Sequence, residues 1–93
     1  MIDIIIPIYN SRKTLPYILL SICRQSIKEK IRVLLVDDCS SDSYDDIIEK
    51  FSDEIKIKIV SLNNNSGPGI ARQYGMEHSR SKYICFVDSD DLL

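Results

Sequence analysis

Two hydrophobic periods alternate along the chain. Ile2–Ile8 is an isoleucine-rich run interrupted by Asp3 and ended by Pro7 and Asn10, the pattern of a strand buried on both faces. Leu15, Ile18, Leu19 and Ile22 then recur at helical spacing. Thr14 stands where an N-cap is expected and Pro16 is tolerated in the first turn, which predicts an amphipathic helix to about residue 26. Residues 31–36 form a second buried strand that stops at the polar run 37–43, and Tyr44, Ile47, Ile48 and Phe51 give the next helical stripe. Ile55, Ile57 and Ile59 alternate with Lys56 and Lys58, as in a half-covered strand whose lysines guard an edge. Residues 63–69 are turn-rich, and Pro68 opens a third helix with Ile70, Ala71, Tyr74 and Gly75 toward the sheet. Residues 83–87 make a fourth, wholly apolar strand running into Asp88.

Strands that alternate with helices imply an α/β fold: a three-layer, Rossmann-like, mostly parallel sheet with helices on both faces. Right-handed crossovers and an edge-like third strand give the strand order 3-2-1-4. Ligands of such sheets bind beyond the carboxyl ends of the strands, at the point where the order reverses. Here that point lies between the first and fourth strands, where Pro7, Ile8, Tyr9 and Asn10 would meet Asp88, Ser89, Asp90 and Asp91. The second strand delivers Asp37 and Asp38 to the same edge.

Composition narrows the class. Isoleucine, leucine and valine fill 28 of 93 positions, enough for one modest core, and leave no room for a second domain. A net charge of −2 argues against a nucleic-acid partner. Its distribution is uneven: residues 1–36 carry six basic and two acidic side chains, whereas residues 37–93 carry six basic and twelve acidic. Eight of the ten aspartates fall in two clusters, at 37–46 and 88–91, which favours turns and hard-cation ligands over solvated helix faces. Cys23, Cys39 and Cys85 are odd in number and widely spaced, as expected of free thiols in a reducing compartment. The first apolar run is too short for a signal peptide or a membrane span, so the chain is expected to be cytoplasmic, or the cytoplasmic part of something longer, at the inner membrane face in a full-length enzyme.

Four segments carry candidate chemistry. Asp88 and Asp90 leave a strand two residues apart and can converge on a divalent cation; a solvated acidic turn is the plain alternative. Asp38 ends a buried strand, where its carboxylate can accept a hydrogen bond from a nucleobase N–H, while Ser41, Asp42 or Ser43 caps the following helix. Asp45 and Asp46 fall in that helix's first turn, where the macrodipole accounts for them. Tyr9 can stack on a base beside the stiffening Pro7, and the glycines before the third helix, with Arg72 on its first turns, suit a phosphate. His78, the sole histidine, reads as a surface residue, and Cys39 among aspartates makes a poor nucleophile.

Together these pieces resemble the amino-terminal, nucleotide-sugar-binding half of family-2 glycosyltransferases, which have the nucleotide-diphospho-sugar transferase fold. The matching segments stand in family order and span nearly the whole chain: IIIPIYN (4–10), LLVDDCSSD (34–42), NNSGPGIAR (64–72) and CFVDSDD (85–91). Cys39 departs from the family's usual glycine or small residue. The resemblance implies that Pro7, Tyr9 and Asn10 lie at the base, that Asp38 bonds its ring N–H, and that Arg72 lies near the base or diphosphate. It further implies that Asp88 and Ser89 face the ribose side and that Asp88 and Asp90 hold Mn²⁺ or Mg²⁺.

The expected activity is inverting sugar transfer from a nucleotide-diphosphate sugar, UDP-linked by preference, to an acceptor hydroxyl of a sugar, glycolipid or polysaccharide. Residues 1–93 would form the donor subdomain, with the acceptor half and general base beyond residue 93, so the isolated chain is expected to be inactive. The alternative is a non-catalytic nucleotide-sugar-binding or scaffolding fragment. A receiver domain fits less well because only 55 residues follow Asp38, and a haloacid-dehalogenase-type phosphatase because Asp91 and Leu92 replace its usual glycine and threonine. The apolar strand at 83–87 has no later strand to cover it, so self-association along that edge is expected.

Overall fold

The computed structural model describes residues 1–25, 27–41 and 43–88. In chain order the elements are β1 (Ile2–Ile8), α1 (Leu15–Cys23), β2 (Ile31–Asp37), α2 (Asp45–Phe51), β3 (Lys56–Ser61), α3 (Pro68–His78) and β4 (Tyr83–Phe86), with a short 3-10 turn at Lys28–Lys30. The sheet has the order β3-β2-β1-β4, as the pattern predicts, and every pairing in it is parallel. Ile2 faces Ile31 on one side and Tyr83 on the other, and β2 pairs with β3 from Arg32–Lys56 to Asp37–Ser61.

Period-two alternation divides β1 and β2 between two cores. Ile4, Ile6 and Ile8 with Ile31, Val33 and Leu35 pack against Leu15, Ile18, Leu19 and Ile22 of α1 and Ile47 and Phe51 of α2. Ile5, Leu34 and Val36 pack on the other face against Ala71 of α3. The connections through α1 and α2 step the sheet one way and the connection through α3 returns across it. Right-handed crossovers therefore put α3 opposite the other two helices.

Helix α3 lies close on the sheet because Gly75 has no side chain. A Cβ there would stand 2.6 Å from Ile5 Cγ2 and 3.1 Å from Val36 Cγ2. Ala71 and Gly75, one turn apart, define the contact line, with Tyr74 half-buried beside it. Ile70 does not face the sheet as its apolarity predicts. It sits about 100° around the helix from Ala71 and is 54% exposed.

Helix α1 ends at Cys23, short of residue 26, and Thr14 occupies the N-cap position without a capping bond. Its backbone is helical (φ −96°, ψ −31°), not extended as a side-chain cap requires. Pro16 has no N–H to offer, the Tyr17 N–H goes to the Thr14 carbonyl, and the Thr14 hydroxyl bonds back to the Ser11 carbonyl.

At the amino ends of the strands, Asp3 and Arg32 stand opposite one another in register. The Asp3 side chain is fully buried; it accepts two bonds from Arg32 (3.0 and 2.8 Å), one from the Ser79 hydroxyl (2.5 Å) and one from the Ser81 hydroxyl (2.6 Å). Burial alone would push this carboxyl up, but the Arg32, Ser79 and Ser81 hydrogen bonds and the Arg32 charge outweigh it and bring the pKa down to about 2. The cluster ties the α3–β4 connection to the first two strands.

The other end of the sheet is open. The Val87 N–H donates to the Ile5 carbonyl (3.1 Å), so odd-numbered residues of β1 turn their backbone groups toward β4. Pro7 is next on that side and has no N–H to offer. Regular pairing with β4 accordingly stops at Ile5–Phe86, whereas β1 continues beside β2 to Ile8–Asp37. Among the described residues no strand covers the outer edge of β4, and Tyr83, Ile84, Cys85 and Phe86 are all exposed.

Candidate functional site

Because the sheet is parallel, the segments that follow its four strands lie at its carboxyl edge; hydrogen bonds join the β1–α1, β2–α2 and β3–α3 loops, and Arg72 of α3 holds Asp88 after β4. Beyond β2 the Asp38 N–H still donates to the Ile8 carbonyl at 2.8 Å, which keeps Asp38 beside the end of β1. Its side chain is buried, and its two carboxylate oxygens accept the Ser66 N–H (2.7 Å) and the Gly67 N–H (2.8 Å). Asp38 therefore anchors the loop that opens α3. Gly67 takes φ +91°, a conformation that side-chain-bearing residues rarely adopt, and so lets the chain turn both N–H groups onto one carboxylate.

The β1–α1 and β2–α2 loops are laced together in the same way. Asn10, at φ +50°, donates its N–H to Ser40 Oγ (2.9 Å) and accepts the Ser41 N–H on its side-chain oxygen (3.0 Å). Tyr9 donates its N–H to Ser11 Oγ at 3.1 Å and is 51% exposed. Asp37 accepts the Ser40 N–H at 2.8 Å. Cys39 has φ +63°, which gives a physical reason why a glycine would suit this position, and its thiol lies 3.5 Å from the Asn63 carbonyl. The N-cap position of α2 is Tyr44, with no side-chain capping bond; of the three expected caps, Ser43 lies one residue earlier and accepts the Asp45 N–H on its hydroxyl at 3.2 Å, Ser41 gives its N–H to Asn10, and Asp42 lies outside the described residues.

Beyond the end of the β1–β4 pairing, Arg72 of α3 and Asp88 after β4 are joined, Nη2 to Oδ1, at 3.1 Å. Their side chains are 37% and 55% exposed, so a polar ligand can reach both. The sequence assigns them separate tasks, near the diphosphate and at the ribose or metal; the structure brings them into contact. Ser89 and Asp90 lie outside the described residues. Among those described, no group of three or more His, Cys, Asp or Glu side chains could hold a metal ion. The exposed Asp88 carboxylate is nevertheless the hard oxygen donor that Mn²⁺ or Mg²⁺ prefers.

Two contacts escape the sequence pattern. Tyr44 reads as one more member of an apolar stripe, but its hydroxyl bonds the Ser11 N–H and Ser40 Oγ; a tyrosine where phenylalanine would fill the core is the signal. Arg12 holds Asp46 through two bonds, at 2.9 and 2.7 Å, and thereby lowers that carboxyl to about 2. The His78 ring packs at a tilt of 42° against Tyr74 and hydrogen-bonds the Tyr74 carbonyl at 2.9 Å. None of the three cysteines is in a disulfide, and among the described residues no helix is long and apolar enough to cross a membrane.

Residues 3–93 match the model of glycosyl transferase family 2. The chain is 47% identical over 97 residues to the minor teichoic acid biosynthesis protein GgaA of Bacillus subtilis, with 98% of the chain and 22% of the relative covered. It is 37% identical over 93 residues to the poly(ribitol-phosphate) beta-N-acetylglucosaminyltransferase TarS of Staphylococcus aureus, covering 98% of the chain and 16% of the relative. The crystal structure of S. aureus TarS in complex with UDP superposes with a TM-score of 0.89 at 36% identity, over 98% of this chain and 28% of that one. The complex with UDP-GlcNAc gives the same TM-score, with 98% and 27% covered. The chain thus spans about a quarter or less of the length of these relatives.

Proposed function

Because the chain belongs to glycosyl transferase family 2, we propose that residues 1–93 form the donor-binding unit of an inverting, metal-dependent enzyme that transfers a sugar from a nucleotide-diphosphate sugar, a UDP-sugar by preference, to an acceptor hydroxyl. The observation that carries this reading is the joining of three loops at one sheet edge: the Asp38 anchor, the Asn10–Ser40 lacing and the Arg72–Asp88 pair. The UDP and UDP-GlcNAc complexes of TarS support a uridine donor. The acceptor is proposed to be a polymer of the poly(ribitol-phosphate) or teichoic acid kind, in keeping with the activity named for TarS and the process named for GgaA.

In this assignment the exposed Tyr9 ring stacks on the base, with Pro7 and Asn10 shaping the turn that presents it. A carboxylate offers about four lone-pair positions, so Asp38, with one loop N–H on each oxygen, retains acceptor capacity for a base N–H. Arg72 binds the diphosphate, and Asp88 and Ser89 face the ribose side. Asp88 and Asp90 would hold the metal, which when bound neutralises charge on the departing diphosphate. The acceptor site and the general base are assigned to sequence outside these 93 residues, so the chain alone should bind donor without turning it over. A cytoplasmic setting is part of the proposal, in keeping with three cysteines that form no disulfide.

Calorimetric titration of the chain with UDP, with and without Mn²⁺, tests the reading. Metal-dependent binding that Asp90→Ala weakens is expected; no binding, or binding indifferent to Asp90→Ala, overturns it. The exposed edge of β4, with Tyr83, Ile84 and Phe86, is the proposed surface for self-association. Sedimentation velocity should show a dimer growing with concentration, and a monomer throughout would dismiss that surface.

A further inference from the structure

Tyr44 is 2% exposed, and its ring belongs to the core beneath α1 and α2. Phenylalanine would fill that space equally well, so the hydroxyl needs its own explanation. The phenol oxygen accepts the Ser11 N–H at 2.9 Å and shares a hydrogen bond with Ser40 Oγ at 2.8 Å. Ser40 Oγ in turn accepts the Asn10 N–H at 2.9 Å, and Ser11 Oγ accepts the Tyr9 N–H at 3.1 Å. Ser11 belongs to the β1–α1 loop and Ser40 to the β2–α2 loop. One buried hydroxyl therefore ties both loops, and from it short chains of hydrogen bonds reach the backbone of Tyr9 and Asn10.

We propose that Tyr44 is a positioning residue for base recognition, its hydroxyl fixing the Tyr9 loop against the Asp38 loop so that stacking and ring N–H pairing act on the same base. The inference rests on the donor-binding reading above and adds a residue that never touches the ligand. Neither loop has regular secondary structure at these positions, so their separation depends on such cross-links. A base clasped from two loops is sensitive to that separation, whereas the diphosphate, met by Arg72 from α3, is not. Loss of the hydroxyl should therefore weaken recognition of the base and spare recognition of the phosphates.

Titrations of Tyr44→Phe with UDP and with pyrophosphate, both with Mn²⁺, test this. A buried hydrogen bond of ordinary strength predicts a UDP affinity lowered about three- to tenfold, with pyrophosphate affinity held within about twofold. Adding Tyr9→Ala should cost less in the Tyr44→Phe background than in the wild type, because the ring is already mispositioned. If Tyr44→Phe fails to fold, Ser40→Ala breaks the same link with the phenol in place and should show the same split. Equal losses for UDP and pyrophosphate, or strict additivity with Tyr9→Ala, overturn the proposal. Wild-type UDP binding that Tyr44→Phe and Ser40→Ala leave unchanged overturns it alone; absence of UDP binding by the wild type overturns the donor-binding reading as well.

Discussion

Replacing Asp38 with alanine should lower folding stability by about 2–4 kcal/mol and UDP affinity by tenfold or more. The stability loss comes from the two backbone N–H groups, of Ser66 and Gly67, that the buried carboxylate now accepts. Hydrogen bonds to a charged acceptor are worth more than neutral ones, and a buried donor left without a partner costs its full desolvation. Asp38→Asn should be little better, because an amide presents one acceptor oxygen and one NH₂ group, and the NH₂ would meet one of the two N–H donors. Urea denaturation measures the first effect and calorimetry the second. An unchanged denaturation midpoint with binding abolished would mean that the carboxylate serves the ligand alone.

The second large effect belongs to the opposite end of the sheet. Asp3→Ala leaves the Arg32 guanidinium, 30% exposed, without its bidentate partner and removes the acceptor of the Ser79 and Ser81 hydroxyls. Breaking a buried pair from one side costs about 3–5 kcal/mol, and the partial exposure of Arg32 places this case near the lower figure. Acid should reproduce part of the loss. The folded pKa of about 2 lies below the ordinary 3.8, so the unfolded chain takes up the proton first. The stabilisation is therefore complete above about pH 4 and disappears as pH falls through 2; it is worth up to about 2 kcal/mol. In urea titrations from pH 5 to pH 2, the advantage of wild type over Asp3→Asn should shrink steadily. A constant gap would show that the charge on Asp3 is not what stabilises the cluster.

The fold was legible because strands buried on both faces write themselves as continuous apolar runs, and because Lys56 and Lys58 mark the edge strand of the sheet. Contacts that depend on register were not. Asp3 and Arg32 look like interruptions until β1 and β2 are aligned, when they become a facing pair of opposite charge. The loops at the carboxyl edge could be named from sequence, but the partners within them could not. An aspartate after a strand has the same appearance whether it serves a ligand or two backbone N–H groups, and Asp38 is engaged by the latter. Ile70 shows the limit of apolarity as a guide: Gly75, with no side chain, decides which face of α3 meets the sheet, and an isoleucine is turned to solvent as a result.

Proline at position 7 leaves an unusual mark on what this sheet can tolerate. Every other amino acid would bring back a backbone N–H on the side of β1 that faces β4. That donor would extend the pairing by one step beyond the bond that the Val87 N–H already makes to Ile5. The early end of the β1–β4 pairing is thus kept by a group that is absent, and no conservative exchange at this position reproduces an absence. Side chains along the strands can be varied in size and charge by ordinary mutation; a missing backbone donor has a single genetic solution.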